Sequence, residues 1–202
     1  MSVERRWEKP FDKLIEQLNI QYGKGAAEPT VPGVSAPKPA SGCVWTYPVF
    51  AGGRGEDKVF VTVSETPVGI GTFLDAADNY EFLQLSLCRP LKTKLTLRHE
   101  GFFDRLKKSI KFEWEYQTGH EKFDRKYFIL DAIAEGDRKL VSNREFQALI
   151  EQAEPFASLA LWKSGVHLSS ALAEGDELSL GRIEERLARL EVLANFAEKQ
   201  YI

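Results

Sequence analysis

Three segments of this chain alternate apolar and polar side chains with a period of two. Val59, Val61 and Val63 share one side of 57–64, Leu83, Leu85 and Leu87 share one side of 82–88, and Leu95 and Leu97 oppose Lys94 and Arg98 within 92–98. Such a period belongs to extended strands with a buried face, because successive side chains of a strand point to opposite sides. An earlier strand around 43–50 is expected, with 51–56 (AGGRGE) as its connection to the next. Phe112, Trp114 and Tyr116 alternate with Glu113, Glu115 and Gln117, predicting a further strand whose aromatic face needs cover. Between them, 101–110 (GFFDRLKKSI) has the pattern of a short helix.

Helical periodicity brackets this strand-forming part. Trp7, Phe11, Leu14, Ile15 and Leu18 fall on one helical stripe, with Pro10 suited to a first turn and Gly23 to a stop, which predicts an amphipathic helix over 10–22. Residues 23–42 hold four Gly, four Pro and four Ala and almost no large apolar side chain. They form a linker, with a flexible-chain reach of roughly 25 Å.

In the second half, 123–131 (FDRKYFILD) is strand-like. Ser142 and Glu145 have capping-box spacing ahead of Phe146, Leu149 and Ile150, and Pro155 ends that helix. Residues 156–162 and 166–172 flank Lys163-Ser164-Gly165 as a hairpin. Leu180, Ile183, Leu187, Leu190, Ala194 and Ala197 then give the longest apolar stripe, predicted to cover the Trp114 and Tyr116 face. Early hairpins and late helices predict an α+β fold, a mainly antiparallel sheet covered by a long C-terminal helix, with a tethered N-terminal amphipathic helix. The expected organisation is 1–22 helix, 23–42 linker and 43–202 a single domain.

Composition narrows the function classes. The 202 residues are 43% hydrophobic, and no apolar run approaches the roughly 18 residues of a membrane-spanning helix. A net charge of −3 disfavours nucleic acid as a partner. Cys43 and Cys88 allow one disulfide at most and suit a reduced compartment, and the first residues lack a secretory apolar core, so a cytoplasmic location is expected.

The candidate chemistry is sparse. His120 and Asp124 have the i, i+4 spacing of two metal ligands, but no third ligand follows, so neither metal nor cofactor is expected. Cys88 paired with His99, His120 or His167 would suit acyl transfer, but a Cys at a strand end is usually a small hydrophobe, and His167 has the placement of a solvated hairpin residue. Gly69-Ile70-Gly71 is a turn, and Glu65, Asp75 and Asp78 belong to a solvated loop. Charge is more informative. Residues 92–111 carry seven basic side chains against two acidic ones, and Arg105, Lys107, Lys108 and Lys111 are the candidate contacts to an anionic surface. The competing reading is a solvated face balanced by Glu184 and Glu185. Trp7, Phe11, Leu14 and Leu18 would dock in an apolar groove of this chain, of a second copy or of a protein partner. The C-terminal stripe offers a second route to a homodimer, although it is short for a coiled coil.

The segment Gln117-Thr118-Gly119 through Phe123-Asp124-Arg125-Lys126-Tyr127-Phe128 to Ser142-Asn143-Arg144-Glu145 resembles a pattern of uncharacterised bacterial proteins. In these a T-G-x-x-x-F-D-x-x-F segment precedes a capped helix, a hairpin and a leucine-rich last helix, with Asp-Pro where this chain has His120-Glu121. The resemblance spans about 117–198 and implies no activity. The residues together point to a non-catalytic binding module. The alternative is an enzyme whose small site gathers Cys88, His99, His120 or Asp124.

Overall fold

The computed structural model describes residues 7–22, 50–64, 81–99, 116–132, 134–173 and 176–200. In chain order the elements are helix α1 (Glu8–Tyr22), strands β1 (Phe50–Arg54), β2 (Asp57–Ser64), β3 (Glu81–Cys88) and β4 (Leu95–His99), short helix α2 (Glu121–Asp124), strand β5 (Tyr127–Leu130), helices α3 (Glu135–Ser142) and α4 (Arg144–Gln152), strands β6 (Ser158–Trp162) and β7 (Gly165–Leu172), and helix α5 (Leu180–Lys199). The fold is α+β. All strand pairs are antiparallel, in the order β1-β2-β3-β7-β6-β4-β5.

Period-two patterning becomes a continuous apolar layer. Phe50, Val61, Leu85, Leu168, Leu159, Leu97 and Ile129 stand in register, one from each strand, and all are buried. A one-residue slip anywhere would turn a strand's apolar set away from this layer, so burial itself specifies the register. The core on this face takes Phe11, Leu14 and Leu18 from α1, Leu140 and Val141 from α3, Phe146 and Ile150 from α4, and Ile183, Leu187, Leu190 and Leu193 from α5. α5 lies against β3 and β7, and α1 against β1 and α5. The α1 stripe is thus occupied by this chain's own elements.

Several local expectations need revision. β1 begins at Phe50 and uses the glycine-rich residues expected to connect strands. Gly52 suits the strand because a side chain there would collide with the Phe50 ring and with Cβ of Tyr22, where α1 closes on the sheet. β4 starts at Leu95, later than expected. Phe123 and Asp124 belong to α2, so only Tyr127–Leu130 of the strand-like run is extended. Ser142 closes α3, a helix with no strong sequence signal, and the cap of α4 is Asn143, whose Oδ1 accepts from the N–H groups of Glu145 at 2.8 Å and Phe146 at 3.3 Å. Tyr116 runs beside β5, its N–H donating to the Ile129 carbonyl, and its ring meets Ser142 and Arg138 of α3. Tyr116 is covered there by α3, while α5 covers β3 and β7. Trp114, the expected helix at 101–110, the linker 23–42 and Cys43 lie outside the described residues.

Candidate functional site

Within the enzymatic alternative Cys88 is held apart from His99, and the neighbours His120 and Asp124 turn their side chains to different partners. Cys88 and His99 end β3 and β4, which β7 and β6 separate, and they lie at opposite ends of the sheet. Cys88 is buried, and burial together with the Asp57 charge pushes its thiol up to about 12, which leaves no thiolate at neutral pH. Nε2 of His99 lies 3.6 Å from Oε1 of Glu154, a carboxylate that also accepts from Tyr127 Oη at 2.6 Å and Lys126 Nζ at 2.9 Å. Burial opposes the charge on Glu154, yet these donors hold its carboxyl below the ordinary range, so it acts as a fixed acceptor.

Asp124 pins a loop. Its Oδ1 accepts from Thr118 N at 2.9 Å and Thr118 Oγ1 at 2.8 Å, and its Oδ2 from Gly119 N at 2.9 Å. Gly119 has φ +82°, a left-handed conformation that favours glycine, and Phe123 is buried 4.7 Å from the Tyr127 ring. The T-G-x-x-x-F-D spacing is therefore a structural clasp, and Asp124 is turned toward backbone donors instead of sharing an ion with His120. Nδ1 of His120 lies 2.7 Å from Oε1 of Gln147, whose Nε2 donates to the Val141 carbonyl at 2.8 Å. His120, Arg144, Gln147 and Glu151 line a shallow cleft of ≈ 460 Å³ between the clasp and α4. No group of three or more His, Cys, Asp or Glu suited to a metal occurs among the described residues.

His167 is not a solvated hairpin residue. Nε2 meets Ser164 Oγ and Nδ1 meets Ser86 Oγ, each at 2.9 Å, and burial lowers its pKa to about 4. It belongs to the second face of the sheet, where Phe60, Ser86, His167, Ala160 and Thr96 stand in register. Gln84 donates to Ser169 and Trp162 to Thr96 on the same side. Alternation revealed which side chains share a face and could not reveal that the polar face is also largely buried. A Ser86–His167 pair resembles a nucleophile and its base, but an imidazole this acidic is a weak base at neutral pH.

A larger cleft, ≈ 870 Å³, opens where the end of α1, the β1–β2 hairpin and α5 meet. The hairpin turn at Gly55 (φ +62°) brings Arg54 to the cleft wall. Arg54 donates to Tyr22 Oη at 3.1 Å and to Glu191 at 3.3 Å, and Tyr22 Oη donates to Glu184 at 3.4 Å. Burial, more than any other influence, raises the Tyr22 hydroxyl's pKa and keeps it a donor. Glu191 directly, and Glu184 through Tyr22, thus meet this guanidinium in the lining, where Glu185 is paired with Arg189 instead. The exposed large hydrophobics among the described residues are Ile20 and Val192, at 86% and 48%, next in sequence to the cleft residues Gln21 and Glu191. Arg105, Lys107, Lys108 and Lys111 lie outside the described residues, whereas Trp7, Phe11, Leu14 and Leu18 are buried in the core and do not line this cleft. The cleft lining was missed because its acidic residues come from two turns of α5 and its guanidinium from a hairpin far away in sequence.

No protein-family model matches the chain, and no curated protein matches it in sequence. A solved structure, the crystal structure of the mycobacterial trehalose monomycolate transport factor A, TtfA, is similar at TM-score 0.49 and 12% identity, covering 95% of this chain and 95% of that chain. No helix among the described residues is long and apolar enough to cross a membrane.

Proposed function

We propose that this protein is a non-catalytic binding module of the cytoplasm, and that the α1–hairpin–α5 cleft takes an amphipathic, basic segment of a protein partner. The observation that carries this reading is the cleft itself: Glu184 and Glu191 beside the single guanidinium of Arg54, with exposed Ile20 and Val192 next in sequence to its lining residues. Basic side chains of a partner would meet the carboxylates, and apolar ones would cover Ile20 and Val192. The engagement of Cys88, His99, His120 and Asp124 in separate structural contacts favours binding over chemistry.

A titration of the isotope-labelled full chain with a synthetic Lys/Leu amphipathic peptide tests this. Amide shifts should concentrate at Ile20, Tyr22, Gly53, Glu184 and Val192, and Glu184→Lys with Glu191→Lys should abolish them. An equal response in the double variant, or shifts elsewhere, would reject the cleft.

A further inference from the structure

Arg186 is a charged side chain inside a helix–sheet interface. It lies on the same arc of α5 as Ile183, Leu187 and Leu190 and is only 5% exposed. Its Nη1 is enclosed and has no hydrogen-bond partner among the described residues. A buried guanidinium without an acceptor is costly, and the usual remedy is a paired carboxylate.

Among the described residues, the nearby carboxylates Asp176 and Glu185 are already paired. Arg182, one turn earlier, donates to Asp176 Oδ1 at 3.1 Å and to the Glu177 carbonyl at 3.3 Å. Arg189, three residues later, pairs with Glu185 and donates to the Gln152 and Glu154 carbonyls, the latter at 3.1 Å. Among the described residues, the three guanidiniums thus have two paired carboxylates, Asp176 and Glu185, and Arg186 is the one left over. Burial, followed by the Arg182 charge, lowers its pKa to about 10, so it stays protonated at neutral pH. Arg182 and Arg189 are about one-third exposed, at 34% and 36%, and stand on either side of the enclosed group.

We propose that Arg182, Arg186 and Arg189 form a binding site for a single phosphate group, with Arg186 as its buried anchor. A phosphate dianion suits this excess of positive charge, and its several acceptor oxygens can engage the outer guanidiniums together with the unsatisfied inner one. The site shares only Glu185 with the cleft above and stands whether or not a peptide binds there.

The full chain is titrated with inorganic phosphate against chloride at constant ionic strength, following the thermal midpoint. A ligand of the folded state raises that midpoint in proportion to the logarithm of its concentration. The parent should show this rise, and Arg186→Met should weaken phosphate binding about tenfold or more. Should the Met variant fail to fold, Arg186→Lys decides, because a lysine keeps the charge but loses the planar fork, and affinity should again fall. Flotation with phosphatidylcholine vesicles carrying phosphatidic acid separates the sources. Arg186-dependent flotation without a response to inorganic phosphate identifies a lipid headgroup, and a response to inorganic phosphate identifies a free phosphate group. A parent that responds to neither probe, or variants that respond as the parent does, overturns the site.

Discussion

His167, half-buried, and Arg186, buried, are polar residues placed by geometry that their own chemistry would not suggest. His167 is neutral between two serine hydroxyls, and its pKa of about 4 lies below the ordinary value of 6.5. A histidine whose folded pKa is depressed favours the folded state when neutral. That contribution is complete above about pH 6.5 and is lost as pH falls toward about 4, with a full effect on the order of 3 kcal/mol. The His167 ring carbons should therefore titrate near pH 4 by NMR, and His167→Gln should flatten the stability profile between those values. A midpoint near 6.5 would show the ring to be solvated. Arg186 was legible in principle, because position 186 falls inside the arc defined by Ile183, Leu187 and Leu190 once the stripe is drawn at 3.6 residues per turn. Its charge disguised it. Arg89 is the opposite case, a surface arginine in type that ties β3 to β2 and α5. It holds Asp57 through two bonds of 2.8 and 2.5 Å and reaches Glu198 at 3.2 Å. Asp57 is only 6% exposed, so Arg89→Ala strands a buried carboxylate and should cost about 3 kcal/mol in urea denaturation.

Among the elements, strands and long helices were legible because one repeated period carries each of them. β2, β3, β7 and α5 fall close to where alternation and 3–4 spacing put them. The revisions cluster at short elements, where a single hydrogen bond outweighs the pattern. Asn143 competes with Ser142 for the same cap, and the Asn side chain wins by reaching two N–H groups. The clasp around Asp124 shows the same physics. Its residues stood out in the sequence as a possible metal pair, but their spacing reflects one carboxylate satisfying the Thr118 and Gly119 amides. Asp124→Ala removes a charged acceptor from three donors and should lower stability by about 2 kcal/mol. Because the clasp presents His120 to the small cleft beside α4, the same substitution should broaden the His120 resonances, while Asp124→Asn retains part of both effects. An Asp124→Ala protein with parental stability would mean that the clasp does not hold the loop.

At the scale of the whole molecule, helices from both ends of the chain share one face of one sheet. α1 contributes Phe11, Leu14 and Leu18, each 0% exposed, to the core that also holds Leu187 and Leu190 of α5. The sequence marked α1 as amphipathic and left its partner open, since a stripe states what must be covered and not by what. In the fold it sits on β1, at the sheet edge beyond β2, with Gly52 making room for Tyr22. β1 is a five-residue edge strand with two glycines, which is weak by itself. Removing residues 1–22 should therefore do more than expose an apolar patch. It should release β1 and lower the cooperativity of unfolding, seen as faster amide exchange across 50–63 while β6 and β7 stay protected. Leu14→Ala tests the same coupling without truncation and should cost about 2–5 kcal/mol, the range for deleting a well-packed leucine. If Leu14→Ala leaves the thermal midpoint and β1 exchange unchanged, α1 is not part of the core.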